Sequence, residues 1–299
     1  MRTIIICGAT ATGKSDLAVA LAQEIGAEIV NADSMQVYQG MDIGTAKLNH
    51  AERGGITHHL LDVLTVKQDS TVAWYQELAR KTIDEIHSRG RDAIIVGGTG
   101  LYIKAIVDDL NFPDTDPVIR SRLELEAIEQ GPAALFQRLE KLDPAAALAI
   151  DRANTRRIIR ALEVIEITGQ PFTANLPREE SSRYPAAFHF GLSQDRESLD
   201  IRVSNRVDSM WESGLVAEVE TLVGQGLREG VTAQKALGYA QVLQMRDGIL
   251  TSEQAQEETK RVTRQYIRRQ DTWFSRDSRL HWLGHYENRL EKILTRLNS

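Results

Sequence analysis

Three features of the sequence predict an α/β fold: a parallel sheet core with helices on both faces, carrying an all-helical insertion and a helical C-terminal region. The first is the stretch Gly8-Ala9-Thr10-Ala11-Thr12-Gly13-Lys14-Ser15, which fills every fixed position of the phosphate-binding pattern G-x-x-x-x-G-K-[ST] and makes the core one of the P-loop type. The second is the alternation of β-branched runs with helical periodicity over about the first 110 residues, because parallel strands need crossover connections. The third is a strand-free block punctuated by Pro113, Pro117, Pro132 and Pro144, which interrupts that alternation.

Thr3 to Cys7 is a short apolar run and reads as the first strand. From Lys14 the period turns helical, with Leu17, Ala20, Leu21, Glu24 and Ile25 three or four apart. Gly8 and Gly13 let the backbone close tightly round an anion. The loop N–H groups and the helix N-terminus then face phosphate oxygens, Lys14 adds a mobile positive charge, and Ser15 can hold Mg²⁺. The motif predicts a diphosphate site without naming the compound. Glu28 to Asn31 reads as a second strand running into Asp33-Ser34-Met35-Gln36 at its C-terminal end, the edge where doubly wound sheets bind ligands. His58 to Leu64 is a further apolar run; adjacent His58 and His59 would point to opposite faces of a strand, which argues against a metal site. Val72, Tyr75, Ala79, Ile83 and Ile86 mark one face of a helix. Asp92 to Val96 is a buried strand ending at Gly97-Gly98-Thr99-Gly100, a second glycine-rich turn at the same edge, before a helix that starts at Leu101.

Within the insertion, Asp116-Pro117 and Asp143-Pro144 each place an N-cap ahead of proline at the first helical position, and Gly131 is suited to end the first helix. Asn154 caps a helix stopped by Gly169, with Ile158, Leu162 and Ile165 on its buried face. Pro177 to Pro185 reads as a linker, and Phe188 to Leu192 as a strand that returns the chain to the sheet. This predicts a core of residues 1–112 and 186–299 and an insertion of residues 113–185. The remainder reads as helical: Leu199, Val203, Val207 and Met210 share a face, and Thr251 with Gln254 forms a capping box for a helix reaching about Ser275.

With 299 residues, 42% apolar and 26% charged, the composition is that of a soluble globular protein. A single cysteine, Cys7, excludes an internal disulfide and a multi-cysteine metal site, fits a cytoplasmic location and reads as a buried strand residue. Strand and loop follow Met1-Arg2 at once, which predicts no signal peptide and no membrane segment. The net charge of −6 disfavours an overall basic coat but permits basic patches. Two exist. Arg152, Arg156, Arg157 and Arg160 crowd one insertion helix, and seven Lys or Arg stand against two Asp between Thr259 and Arg279, with Tyr266, Trp273 and Phe274 among them. On charge alone, a solvated helix face and nucleic-acid binding are equally open.

The chain resembles the tRNA dimethylallyltransferase (tRNA isopentenyltransferase) family nearly end to end. The matching residues are the phosphate loop; Asp33 to Tyr38 with Gly40 to Lys47; Gly97 to Tyr102; Asn154 to Arg157 with Arg160 to Val164; Gly238-Tyr239; and Thr263 to Tyr266 with Arg268-Arg269-Gln270 and Thr272-Trp273. Ala9 departs from the family's usual proline, at a position the loop pattern leaves free. The resemblance implies transfer of a dimethylallyl group from its diphosphate to the exocyclic amine of the adenosine directly 3′ of the anticodon, in tRNAs reading codons that begin with U. Gly8 to Ser15 would then hold dimethylallyl diphosphate with Mg²⁺ on Ser15, Asp33 would match the general base, Thr99 a residue positioning the amine, and Arg206 an arginine supporting donor binding. Asp33, Ser34, Met35, Gln36 and Thr99, together with Arg157, Ile158, Ile159, Arg160 and Ala161, match tRNA-contacting positions, so the insertion is expected to bind the anticodon stem-loop of a tRNA taken up by a monomer. Three other readings set the contrast: a nucleotide kinase would use the loop for ATP, a non-catalytic tRNA-binding protein would have the basic helices but no use for Asp33, and an enzyme prenylating free adenine nucleotides would not need the basic helices.

Overall fold

The computed structural model describes residues 1–175 and 182–299 and divides the chain into two compact units, Met1–Val107 with Tyr184–Ser299, and Asp108–Arg183. In the first unit, β1 (Thr3–Gly8) leads through the glycine loop into α1 (Lys14–Ile25), followed by β2 (Glu28–Asn31), the two-residue β3 (His58–His59), α2 (Val72–Ser88), β4 (Ala93–Gly97) and α3 (Gly100–Val107). The second unit holds α4 (Pro117–Glu129), α5 (Pro132–Leu142), α6 (Pro144–Ala149) and α7 (Thr155–Thr168). The chain then returns to the first unit with β5 (Phe188–Leu192), α8 (Arg196–Glu212), α9 (Leu215–Gly224), α10 (Tyr239–Arg246), α11 (Ser252–Phe274), β6 (His281–Leu283) and α12 (Arg289–Leu297).

The six strands form one sheet in the order β3-β2-β4-β1-β5-β6, and every pairing is parallel. Both faces are covered, which is why β1 is buried at all six positions instead of alternating. Ile4 and Ile6 pack with Leu21 of α1 and Ile293 of α12 on one face; Ile5 and Cys7 pack with Tyr75 and Ile83 of α2, Ile106 of α3 and Phe274 of α11 on the other. A further cluster seats the loop after β2, through Val37, Tyr38 and Met41, on Leu215, Val219 and Tyr239.

The second unit has its own core of Leu123, Phe136, Leu139, Ile158 and Leu162. Its caps follow from sequence: Asp116 accepts from the amides of Val118 and Ile119, Asp143 from Ala146, and Asn154 from Arg157. The antiparallel bridge Asp108↔Ser182 closes its base, so the unit begins ahead of the expected residue 113.

Three local readings need correction. Gln130 caps the end of α4, while Gly131, at φ 82°, caps the start of α5. Only His58–His59 of the expected apolar run pairs as a strand, since Leu60 and Asp62 turn the chain at φ 63° and 58°. The C-terminal region is not wholly helical, because β6 extends the sheet beside β5. Residues Pro177 to Ser181 of the expected linker lie outside the described residues. Among the described residues no helix is long and apolar enough to cross a membrane.

Candidate active site

Three segments meet at the C-terminal edge of the sheet because β1, β2 and β4 are parallel neighbours that all end there: the phosphate loop after β1, Asp33 to Gln36 after β2, and Gly98-Thr99 after β4. The loop is held in shape from outside. Ala9 and Ala11 pack on Leu199, Val203 and Val207 of α8 and Ile267 of α11. Thr12 Oγ1 and Lys14 Nζ both donate to the Ala9 carbonyl, at 2.8 and 2.6 Å, Arg202 donates to Ala11 O at 3.4 Å and Arg289 to Thr12 O at 2.8 Å. With the loop carbonyls thus engaged, α1 begins at Gly13 with no side-chain cap, leaving its first amides available to an anion. Gly8 lies at φ 142° and a Cβ there would come within 2.7 Å of Leu192 O, so no other residue fits.

Asp33 is fixed by its neighbours. Its amide donates to Asn31 Oδ1 at 3.0 Å and its Oδ1 accepts from Met35 N at 2.8 Å, while Asn31 is tied to the Leu60 carbonyl. Burial raises the Asp33 pKa, opposed by the Met35 and Gln36 amides and by Lys14 and Lys47. Burial also lowers the Lys14 pKa to about 8; Asp33 pulls it back up and Arg206 pushes it further down. Thr99 Oγ1 accepts from Ser34 N at 3.1 Å and lies 3.3 Å from Ser34 Oγ, so the turn after β4 is hydrogen-bonded to the segment after β2.

A cavity of about 310 Å³ opens beside these groups, with Thr99 behind the Ser34 and Gly98 that line it. Lys14, Asp33, Ser34, Met35 and Arg206 line it together with an apolar wall of Val203, Val207, Met210 and Leu237. Arg206 keeps an open guanidinium there, and partial desolvation lowers its pKa against the pull of Asp16. Gln36 lies beside the cavity with its amide spent on Thr45 O.

The structure also adds residues that sequence reasoning passed over. Tyr266, Arg269 and Gln270 of α11 reach the cavity; the sequence placed them in a family-matching, basic stretch but gave none of them a role in the site. Glu218 accepts from the amides of Asp42, Ile43 and Gly44 and from the Tyr239 hydroxyl, fixing the loop that supplies Gly44 to Ala46 to the cavity rim. Nothing in the local sequence singles it out.

In the second unit the expected contact segment divides. Ile158, Ile159 and Ala161 are core residues, so their side chains offer nothing to a ligand, a correction that follows from the inward face of α7. Arg160 is spent internally, donating to Pro113 O and Asp114 O at 2.6 and 3.1 Å and pairing with buried Glu163 at 3.0 Å. Arg157 is exposed.

Comparison with known proteins gives one consistent result. The family model described as IPP transferase matches residues 36–277. A tRNA dimethylallyltransferase of Thermobifida fusca is 58% identical over 289 residues, covering 95% of this chain and 90% of its own, and one of Streptomyces coelicolor is 57% identical over 283 residues with the same coverage. Among solved structures, the full-length tRNA isopentenylpyrophosphate transferase of Bacillus halodurans superposes with TM-score 0.73 at 38% identity, covering 99% of this chain and 95% of its own. A eukaryotic dimethylallyltransferase captured acting on tRNA superposes with TM-score 0.83 at 26% identity, covering 100% and 79%.

Proposed function

The chain belongs to the tRNA dimethylallyltransferase family, and from that membership and the cavity's geometry we propose how it prenylates tRNA. It is a tRNA-modifying transferase; the donor is dimethylallyl diphosphate and the acceptor the exocyclic amine of the adenosine directly 3′ of the anticodon in tRNAs reading codons that begin with U. The observation that carries this reading is a phosphate loop and a half-buried carboxylate opening into one cavity with an apolar wall, an arrangement suited to a short allylic chain held between its diphosphate and a nucleophile.

Loop amides at the start of α1, Lys14 and Arg206 hold the diphosphate and stabilise the charge that grows on it as the allylic C–O bond breaks. A metal here would be held by Ser15, in the first turn of α1 next to Lys14, together with the donor's own oxygens. That donor set suits Mg²⁺, which keeps several waters and binds through substrate phosphates. When bound, Mg²⁺ supplies further charge neutralisation on the leaving group. Asp33 takes the proton that the adenine amine loses, and Thr99, fixed against Ser34, orients that amine. Because the amine is inaccessible within a stacked loop, the base is extruded into the cavity. Arg157 and the exposed arginines of α11 contribute phosphate contacts to a monomeric enzyme.

The test is to incubate the protein with unmodified tRNA, dimethylallyl diphosphate and Mg²⁺, without ATP, and to analyse digested nucleosides by mass. Prenylated adenosine next to the anticodon is expected. A strict requirement for ATP, or a phosphorylated nucleoside as product, would overturn the reading, as would prenylation of free adenine nucleotides in preference to tRNA.

A further inference from the structure

We infer that Gln270 is a positioning residue that fixes the donor loop relative to the acceptor edge, through the two ends of its side-chain amide. Its Oε1 accepts from Thr10 N in the phosphate loop at 2.9 Å, and its Nε2 donates to Gly98 O in the turn after β4 at 2.8 Å. The side chain is buried and both ends are used, so its orientation is set. One loop amide is thereby withdrawn from any anion and spent on placing the loop.

The chain of contacts continues past the amide. Gly98 precedes Thr99, whose amide donates to Ala32 O at 3.3 Å and whose hydroxyl accepts from Ser34 N, beside Asp33. Burial pushes the Tyr266 hydroxyl up to about 12, so it stays neutral where it lines the cavity beside Gln270. A Cβ at Gly98 would approach Gln270 Nε2 to 2.4 Å, so a side chain there would displace the Gln270 amide. Gln270 thus hydrogen-bonds both loops, Thr10 on the donor side and Gly98 on the acceptor side, where the neighbouring Thr99 in turn holds Ser34 next to Asp33.

This inference rests on the proposed prenyl transfer and makes a claim that the transfer alone does not. If Gln270 sets the distance between donor and amine, its loss leaves the allylic carbon poorly covered by its nucleophile. Water then competes: the C–O bond to the diphosphate breaks with its electron pair going to the diphosphate, a water oxygen bonds the allylic carbon, and the water's proton passes to solvent. The products are dimethylallyl alcohol and diphosphate.

Gln270→Ala and the isosteric Gln270→Glu, the second of which sets an acceptor against the Gly98 carbonyl, should be compared with the parent. Readouts are thermal unfolding, binding of inorganic diphosphate, KM and kcat, and the ratio of alcohol to prenylated tRNA. Roughly tenfold weaker diphosphate binding is expected, the scale of one buried hydrogen-bond partner lost, with a rise in the alcohol fraction and the larger effect for Glu. Unchanged binding and unchanged product ratio overturn the inference, and so does a loss of active protein with KM and product ratio intact. If the parent makes no prenylated tRNA, the functional reading has failed, and diphosphate binding by the two variants still decides whether Gln270 places the loop.

Discussion

Asp33 and Lys14 each sit where burial penalises their charge, and each is pulled back toward the charged form by the other. Burial outweighs that mutual pull and draws their pKa values toward one another, the carboxylate upward and the ammonium down to about 8, the kind of perturbation that collects at functional sites. The signs predict a bell-shaped profile. Asp33 works as a base only when ionised, so kcat/KM should fall with acid at a pH above the ordinary carboxylate range; Lys14 loses its charge above about 8, so donor capture should weaken there. Asn retains the oxygen that accepts the Met35 amide, so Asp33→Asn should fold, bind tRNA, and lose ~10²- to 10⁴-fold in rate together with the acid limb. Kinetics from pH 5 to 10 on both proteins test this, and an acid limb surviving in the variant places the base elsewhere. The sequence showed Asp33 at a sheet edge, but its use as more than a turn residue rested on family resemblance, because desolvation depends on what later segments place above it. Gln270 was illegible for the same reason. Its partners lie 260 and 172 residues away.

Elements were legible where their signals are local. The caps of α4, α6, α7 and α11, the loop before α1 and the strands β1, β2, β4 and β5 depend on neighbouring residues, and the spacing that predicts them survives packing. β6 was not, since three residues, two of them exposed, carry too short a pattern and pair only because β5 offers an edge. The same limit governs the arginines of α7. Spacing placed Arg157 and Arg160 on one side, yet Arg160 bends to Glu163, a fully buried carboxylate that also takes Arg120 at 2.5 Å and the Asp116 amide at 3.0 Å. Breaking such a hub leaves two guanidinium groups without their counter-charge. Because those guanidinium groups are partly solvated, Glu163→Gln should destabilise the Asp108–Arg183 unit by about 1 to 3 kcal/mol, read as loss of hydrogen-exchange protection confined to α4 and α7. Protection unchanged in both helices would show that the hub contributes little.

At the scale of the molecule, an acidic protein must present a phosphate-binding face to an acidic partner, and the ion pairs decide which cations are left to do so. On and after α11, Lys260 is held by Asp208 and Glu257, Arg261 by Glu258, Arg264 by Ser204 with Asp200, and Arg279 by Asp277. Arg268, Arg269 and Arg276 remain exposed around Trp273, with Arg269 stacked on the Tyr266 ring at 5.6 Å. The excess of seven cations over two carboxylates thus overstated the available charge, which composition could not reveal because pairing is tertiary. Each phosphate contact releases counterions, so its loss flattens the dependence of log affinity on log salt by about 0.7 to 0.9. Replacing Arg268 and Arg276 by Ala should lower the slope for tRNA by up to ~2, whereas replacing Arg261 and Arg279, whose charges are already matched, should leave it within about half a unit. Binding of dimethylallyl diphosphate should change in neither variant, since its diphosphate is assigned to the loop at Gly8 to Ser15. Salt titrations of tRNA binding for the parent and both variants distinguish the sets. A slope that responds to Arg261 and Arg279 instead would mean that those ion pairs open on contact and that the tRNA face lies along the other side of α11.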